Sequence, residues 1–423
     1  MPRSIQVMFA ASLAFFFVTA TTFTSLGYVL YIMVDQLHWS KAAAGFSFAL
    51  LGLACGLASP LPPLLMKKIG TRMTMVVGAA VLASGFLLAA LVHSLALFFV
   101  ATSLMGAGFT LLAPSPAMYL LANWFPRSSA RMIGFYFMAG ASGGIVGPLI
   151  VGAIAGATGD WRLHWMVMAI GAALLGLVCL VCIRDTAAIK NVADVGAAAG
   201  KDPSGKEIPD SGFTVRQALF SRAFIVLALI LTVVQTVVTA THSLLVAHIA
   251  NLGHGAEPGA IAMSLLAFAG TATKGVTGAV CERVPPRLIL ITGLLFQAAG
   301  MGLLAHAPGV LVAVGASALF GAGWGMAWLS GHILLLRYFG PRLAGDMTAM
   351  VTTVSTLAVF GPIAAGRVAD VSGTYAPAIV VFAVLLLVAA IAGVLLLQAP
   401  RPLVQRDEDS ALDADTLKFE PAE

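Results

Sequence analysis

Apolar residues run along this chain in long blocks, and the charged positions between them are sparse and clustered. No Asp, Glu, Lys or Arg occurs from Ser4 to Val34, from Met73 to Pro126, or from Leu288 to Leu336. Such blocks match neither the alternation of a half-buried strand nor the narrow stripe of an amphipathic helix. A membrane span needs ~20 apolar residues, so the first block holds one span. The other two hold a pair each, turning near His93 and His306. Cutting at the polar punctuation predicts helices over 6–33, 43–66, 73–92, 95–122, 130–156 and 163–183. A second group of six follows over 223–249, 259–281, 288–305, 309–336, 344–368 and 375–398. No water satisfies backbone groups in lipid, so each run must be helical.

Composition agrees. Of 423 residues, 60% are apolar and only 10% charged, which excludes a soluble domain, a disordered chain and a disulfide scaffold. The continuous runs argue against an outer-membrane barrel, whose strands alternate. The predicted fold is an all-α polytopic membrane protein of twelve transmembrane helices, embedded in a lipid bilayer. The N-terminal apolar stretch is too long for a 7–15-residue signal-peptide core and reads as a retained first span. With the N-terminus placed inside, nineteen basic residues fall on the cytoplasmic side, and Lys41, Arg162 and Arg367 outside. The positive-inside rule then puts both termini in the cytoplasm, in a cell membrane (the inner membrane if the source is Gram-negative). The net charge of +5 reports topology, and no nucleic-acid partner is expected. Cys55, Cys179, Cys182 and Cys281 read as small packing residues rather than a metal site. There is no Gly-Lys-Ser/Thr phosphate loop; no cofactor and no metal are expected, and a monomer is.

The two groups of helices repeat. A shift of 215 residues carries Lys68 and Arg72 onto Arg283 and Arg287, Met105–Phe109 onto Phe320–Trp324, and Pro126-Arg127 onto Pro341-Arg342. With one residue removed, Gly147-Pro148 falls on Gly361-Pro362. This predicts two pseudo-symmetric six-helix bundles, 1–184 and 223–398, joined by a polar cytoplasmic linker over 185–222 and followed by an acidic tail over 399–423. Duplicated units of this kind build many secondary transporters, with the site at the interface of the halves near the midplane.

At this point the chain resembles the major facilitator superfamily over nearly its full length. That family carries a Gly-x3-Asp-Arg/Lys-x-Gly-x-Arg loop between its second and third helices. Here the loop reads Pro63-x3-Lys67-Lys68-Ile69-Gly70-Thr71-Arg72, with Pro63 and Lys67 replacing the Gly and the Asp. The second-half copy, Gly278-x3-Glu282-Arg283-Val284-Pro285-Pro286-Arg287, keeps an acidic residue. Within the superfamily it looks like the monocarboxylate porter branch. His38-Trp39-Ser40-Lys41, Ala122-Asn123-Trp124-Phe125-Pro126-Arg127 and Asn251-Leu252-Gly253 resemble that branch's connections, in the right order.

Lys274 stands out from the residues alone. It lies sixteen residues after Pro258 and seven before Cys281, inside the eighth span. A charge near midplane costs at least ~2.5–3.5 kcal/mol on insertion scales. All eighteen Asp and Glu residues lie in loops, tails or helix ends, so no acid is evident to pair with it and an anionic substrate is a candidate partner. The resemblance points the same way: the porter branch binds substrate with an Arg in Arg-x3-Gly-x3-Asp-Arg, and this chain reads Lys274-x3-Gly278-x3-Glu282-Arg283. Lys is a point charge without the planar fork of Arg. The structural alternative is a lysine that snorkels to the interface.

Candidate companions for the substrate are Tyr28 and Tyr31 in the first span, Tyr119 in the fourth, Gln235, Thr239 and His242 in the seventh, and Trp324, Trp328 and His332 in the tenth. Proton coupling needs a group that titrates near neutrality; His242, His248 and His332 are the histidines within spans. The porter branch often places an Asp four residues before its Arg, where this chain has Gly270. The reading is a secondary transporter of a small organic monoanion, a monocarboxylate, coupled to a proton and working by alternating access. The alternative is an exporter of lipophilic drugs or metabolites on the same fold. A membrane enzyme is disfavoured because no cluster of acids, histidines or metal ligands lies at membrane depth.

Overall fold

A computed structural model of the chain describes residues 3–125, 129–185 and 213–400. Among the described residues, twelve helices are long and apolar enough to span a membrane. The first six are α1 (Arg3–Leu37), α2 (Lys41–Ala58), α3 (Leu61–Ala90), α4 (Leu95–Leu121), α5 (Met132–Gly156) and α6 (Trp161–Cys182). The second six are α7 (Arg222–His254), α8 (Ala256–Val280), α9 (Pro286–Ala305), α10 (Val310–Gly340), α11 (Asp346–Ser372) and α12 (Ala376–Leu396). Each half packs around its own apolar core. The neighbours correspond: α3 packs on α6 as α9 on α12, and α2 on α4 as α8 on α10.

The repeat seen in the sequence recurs in the packing, residue for residue. Gly85 lies against Ala101 and Met105; 215 positions on, Gly300 lies against Ala316 and Phe320. Gly106 meets the Leu51 carbonyl as Gly321 meets that of Leu266, and Gly108 meets Leu82 as Gly323 meets Gln297. Lipid supplies little drive for helices to associate, so close backbone approach at small residues carries much of the adhesion. Gly27 touches the carbonyl of His242. These two positions are themselves 215 apart, so the pseudo-twofold axis passes beside His242.

Several boundaries differ from the sequence expectation. The second span ends at Ala58 rather than near 66, and α3 already begins at Leu61, with prolines in its first turn. Proline suits that place, where its missing N–H has no helical acceptor to serve. Gly70, at φ 79°, breaks α3. The helix restarts with the backbone N–H groups of Thr71 and Arg72 donating to one Asp185 oxygen at 2.8 and 3.0 Å. Asp185 therefore ties the end of α6 to the start of the membrane-spanning part of α3. The expected gap between the tenth and eleventh spans is a single break at Gly340, φ 74°. The fourth span is interrupted as expected, with Ala113 extended and helix resuming at Ser115. Of the linker, 186–212 lie outside the described residues; its end forms a short helix, Val215–Leu219, closed by a Thr214/Gln217 capping box. Of the tail, 401–423 also lie outside them.

The halves meet at α1–α7, α2–α11 and α5–α8. The tightest of these contacts lie on the side away from the N-terminus. There Gly45 abuts Pro362, and Gly366 abuts Lys41 and Ala42, too closely for any side chain. The same α2–α11 seam carries a reciprocal cap. Asp370, near the C-terminal end of α11, accepts from the N–H groups of Lys41 and Ala42 at 2.8 and 2.9 Å. Lys41 in turn sends its ammonium to the carbonyls of Gly373 and Ala369 at 3.2 and 3.4 Å. Each helix end thus receives the charge that its dipole favours. This side is sealed, and the space between the halves lies toward the N-terminal side.

Candidate functional site

That space is a cavity of about 530 Å³ walled by both halves. Its first wall comes from α1 and α5: Phe15, Thr19 and Thr24, then Phe137, Met138 and Gly144. Its second wall comes from α7, α8 and α10: His242, then Thr271 and Lys274, then Trp324 and Trp328. The spacing explains the grouping. Ala267, Thr271, Lys274 and Gly275 recur at one-turn intervals and so share one stripe of α8, as Trp324 and Trp328 do on α10.

Lys274 is the cavity's one charged side chain among the described lining residues. Its ammonium stands 3.6 Å from the centroid of the Trp324 ring. Trp324 sits at the centre of α10, which places the charge deep in the span and not at the interface. Helical side chains lean toward their own N-terminus, and in α8 that lean carries Lys274 away from the nearer end of its helix. The ring face attracts the cation electrostatically, and among the described residues no carboxylate pairs with it. The Trp324 indole N–H is buried and has no acceptor.

The other polar groups on the walls are mostly committed. Thr19 donates its hydroxyl to Phe15 O at 2.8 Å, Thr24 to Thr19 O at 3.0 Å, and Thr271 to Ala267 O at 2.8 Å. Methyl groups of Thr19 and Thr24 face Gly144. His242 has Nδ1 at 2.8 Å from the Val238 carbonyl. A carbonyl only accepts, so the proton is on Nδ1 and the neutral ring offers Nε2 as an acceptor. The ring meets Trp324 edge-on, centroids 5.9 Å apart. Lys274, Trp324 and His242 therefore form one cluster: a cation, an unused donor and an unused proton acceptor.

The residues singled out from the sequence separate in space. Lys274, His242 and Trp328 line the cavity. His332 stands behind Trp328, its ring 4.6 Å away and its Nδ1 donating to the Trp328 carbonyl at 2.7 Å. Gln235 donates to Thr239 at 3.3 Å along α7. Tyr28 is buried with its hydroxyl against Gly156, and Tyr31 lines a smaller cavity on the sealed side, about 120 Å³, beside Asp35 and Lys41. Tyr119 lies in the last part of α4, where its carbonyl accepts from Asn123. His248 is fully buried, its Nε2 bridging to the Leu304 carbonyl of α9 at 2.9 Å. The wall of Phe15, Phe137 and Met138 was missed; in helices that are apolar all round, nothing in the sequence separates a cavity face from a lipid face.

Comparison with known proteins places this architecture. A 25% identical relative, over 74% of this chain and 73% of its own length, is the uncharacterized MFS-type transporter YddS of Bacillus subtilis (strain 168). Among solved structures, a bacterial homologue of the human lysosomal transporter Spinster, in an inward-facing and occupied conformation, overlays with a TM-score of 0.78 at 15% identity, covering 95% of this chain and 98% of that one. The nucleoside transporter NupG overlays at 0.74 with 15% identity, covering 95% and 100%. The Major Facilitator Superfamily model matches residues 11–360. With its twelve spans, its duplicated bundles and that match, the chain belongs to the Major Facilitator Superfamily, whose members here are membrane transporters.

Proposed function

We propose that this protein is a secondary transporter of an organic monoanion, a monocarboxylate, moved together with a proton. The observation that carries the reading is Lys274: an ammonium held on the Trp324 ring inside the central cavity, with no carboxylate beside it among the described residues. An unpaired charge at this depth is costly, by ~2.5–3.5 kcal/mol or more, and a substrate carboxylate offsets that cost on arrival. A single cation suits a single negative charge. The resemblance of Lys274–Arg283 to the substrate-binding helix of the monocarboxylate porters supports the same assignment. Both termini are placed in the cytoplasm by the nineteen-to-three distribution of basic residues, in the cell membrane; the cavity then faces inward, as in the inward-facing Spinster homologue.

In this reading Lys274 anchors the carboxylate, Trp324 holds the ammonium in place, and His242 takes up the proton on Nε2. His242 is favoured over His248 and His332 because it alone of the three lines the cavity. The apolar wall of α1 and α5 supports the alternative of a lipophilic-compound exporter. Counterflow in proteoliposomes separates the two. Labelled organic anions should exchange through the wild-type protein and not through Lys274→Ala, which should still insert. Unchanged anion affinity in the Ala variant, or exchange of neutral lipophiles alone, overturns the monoanion reading.

A further inference from the structure

Resting on that reading of Lys274, we infer that the cargo is an amphipathic monoanion whose body is an apolar ring, an aryl or arylalkyl carboxylate, and not a short or hydroxylated acid. The polar capacity of the cavity is confined to one patch. Lys274, the Trp324 indole N–H and His242 Nε2 all belong to the second half and stand together. The Lys274 ammonium and His242 Nε2 match the charge and the proton of one carboxyl group, while the Trp324 N–H lies buried beside them.

Away from that patch the walls offer almost nothing to a hydroxyl. The three cavity threonines have spent their protons on carbonyls of their own helices, at 2.8, 3.0 and 2.8 Å. Two of them turn methyl groups toward Gly144. A sugar-like cargo would find there only the acceptor lone pairs of three hydroxyls and no side-chain donor, so most of its water hydrogen bonds would go unreplaced, and unpaired buried polar groups are strongly penalised. The opposing wall is built for a ring instead. Phe15 and Phe137 stand edge to face at 5.7 Å, across from Trp324 and Trp328. Aromatic rings prefer edge-to-face or offset packing on such partners. The volume agrees: about 530 Å³ lies within the ~300–1,000 Å³ of pockets that enclose drug-sized ligands, and an acetate-sized anion would leave most of it to water.

The body and the head are then tested separately, using equilibrium binding to the purified full-length protein. The four probes are 3-phenylpropanoate, acetate, glucuronate and the neutral 3-phenylpropanol. 3-Phenylpropanoate should bind at least ~10-fold more tightly than acetate or glucuronate, since burying a ring against aromatic walls is worth that much, and ~10-fold more tightly than 3-phenylpropanol, which has the ring but no charge to offer Lys274. Phe137→Ala should weaken 3-phenylpropanoate ~10-fold or more, by removing aromatic contact, and leave acetate unchanged. Phe137 is 44% exposed, so its truncation does not open the core; Phe137→Leu, which keeps bulk without a ring, and an unchanged melting temperature guard against misfolding. If acetate or glucuronate binds as well as 3-phenylpropanoate, or Phe137→Ala has no effect, the ring-bodied cargo is wrong while the monoanion reading stands. If 3-phenylpropanol binds as tightly as the acid, or Lys274→Ala binds the acid unchanged, the monoanion reading itself falls. Binding of none of the four overturns both.

Discussion

Trp324 is the residue on which the site turns, because it serves three neighbours at once. Its face holds the Lys274 ammonium, it stands nearly perpendicular to the His242 ring, and it fills the space over Gly270, where any side chain would collide with it. The face and the N–H make different contributions, and substitutions separate them. Trp324→Phe keeps a face and should retain most anion affinity. Trp324→Leu loses the face, and with it a desolvated cation–π contact of ~2 kcal/mol. Its anion affinity should fall ~10–30-fold, read as Kd for the wild-type substrate; equal losses in both variants would assign the role to the indole N–H instead. Of this cluster the sequence disclosed the lysine plainly, since a lone charge inside an apolar run announces itself. Trp324 was legible only as a member of an aromatic stripe that packing alone also explains. Phe15, Phe137 and Met138 were not legible at all, because their role depends on which face of α1 and α5 turns from lipid toward the partner half.

Helix ends, more than helix middles, decide which side of the molecule is shut. On the sealed side the N-terminus of α2 and the C-terminal end of α11 cap each other through Asp370 and Lys41. Carboxylates on helix N-termini are worth ~0.3–1 kcal/mol, and up to ~2 when partly buried. The bond joins opposite halves, so its loss acts on the equilibrium between the two faces and not on the stability of either bundle. Asp370→Asn should therefore raise the population open on the far side by ~2–30-fold. The check is the labelling rate of Ser243→Cys, in the small cavity on the sealed side, by a thiol reagent; an unchanged rate refutes the latch. The hydrophobic pattern predicted all twelve spans because lipid forbids any other backbone there. It misplaced the ends of α2 and α3 because the apolar Leu61–Met66 continues the run of the second span, and the charged Lys67, Lys68 and Arg72 beyond it read as the loop, although the chain already turns at Ser59-Pro60. The reciprocal cap was out of reach altogether: Lys41 and Asp370 stand 329 positions apart, and only the closed interface brings them together.

At the scale of the whole molecule, the question is what drives two bundles to alternate around one cation. A carrier bringing in a monoanion alone would move negative charge against a negative interior, at ~2.3 kcal/mol per 100 mV. One proton carried with each anion removes that penalty and lets a pH gradient do the work. The cavity supports this pairing through its geometry. His242 sits beside the pseudo-twofold axis, where Gly27 of the first half touches its carbonyl, and its Nε2 is free to accept. A proton there adds positive charge next to Lys274 and favours the anion; the anion, once bound, favours that proton by the same factor. Uptake into proteoliposomes should therefore rise under an imposed acid-outside gradient and respond little to an imposed potential. His242→Gln, which keeps polarity but cannot titrate, should lose the response to pH while still exchanging anion for anion. A variant that keeps full pH-driven accumulation would remove His242 from the mechanism. Wild-type accumulation that follows the potential and ignores the pH gradient would remove the proton, leaving uniport or anion exchange through the same Lys274 site.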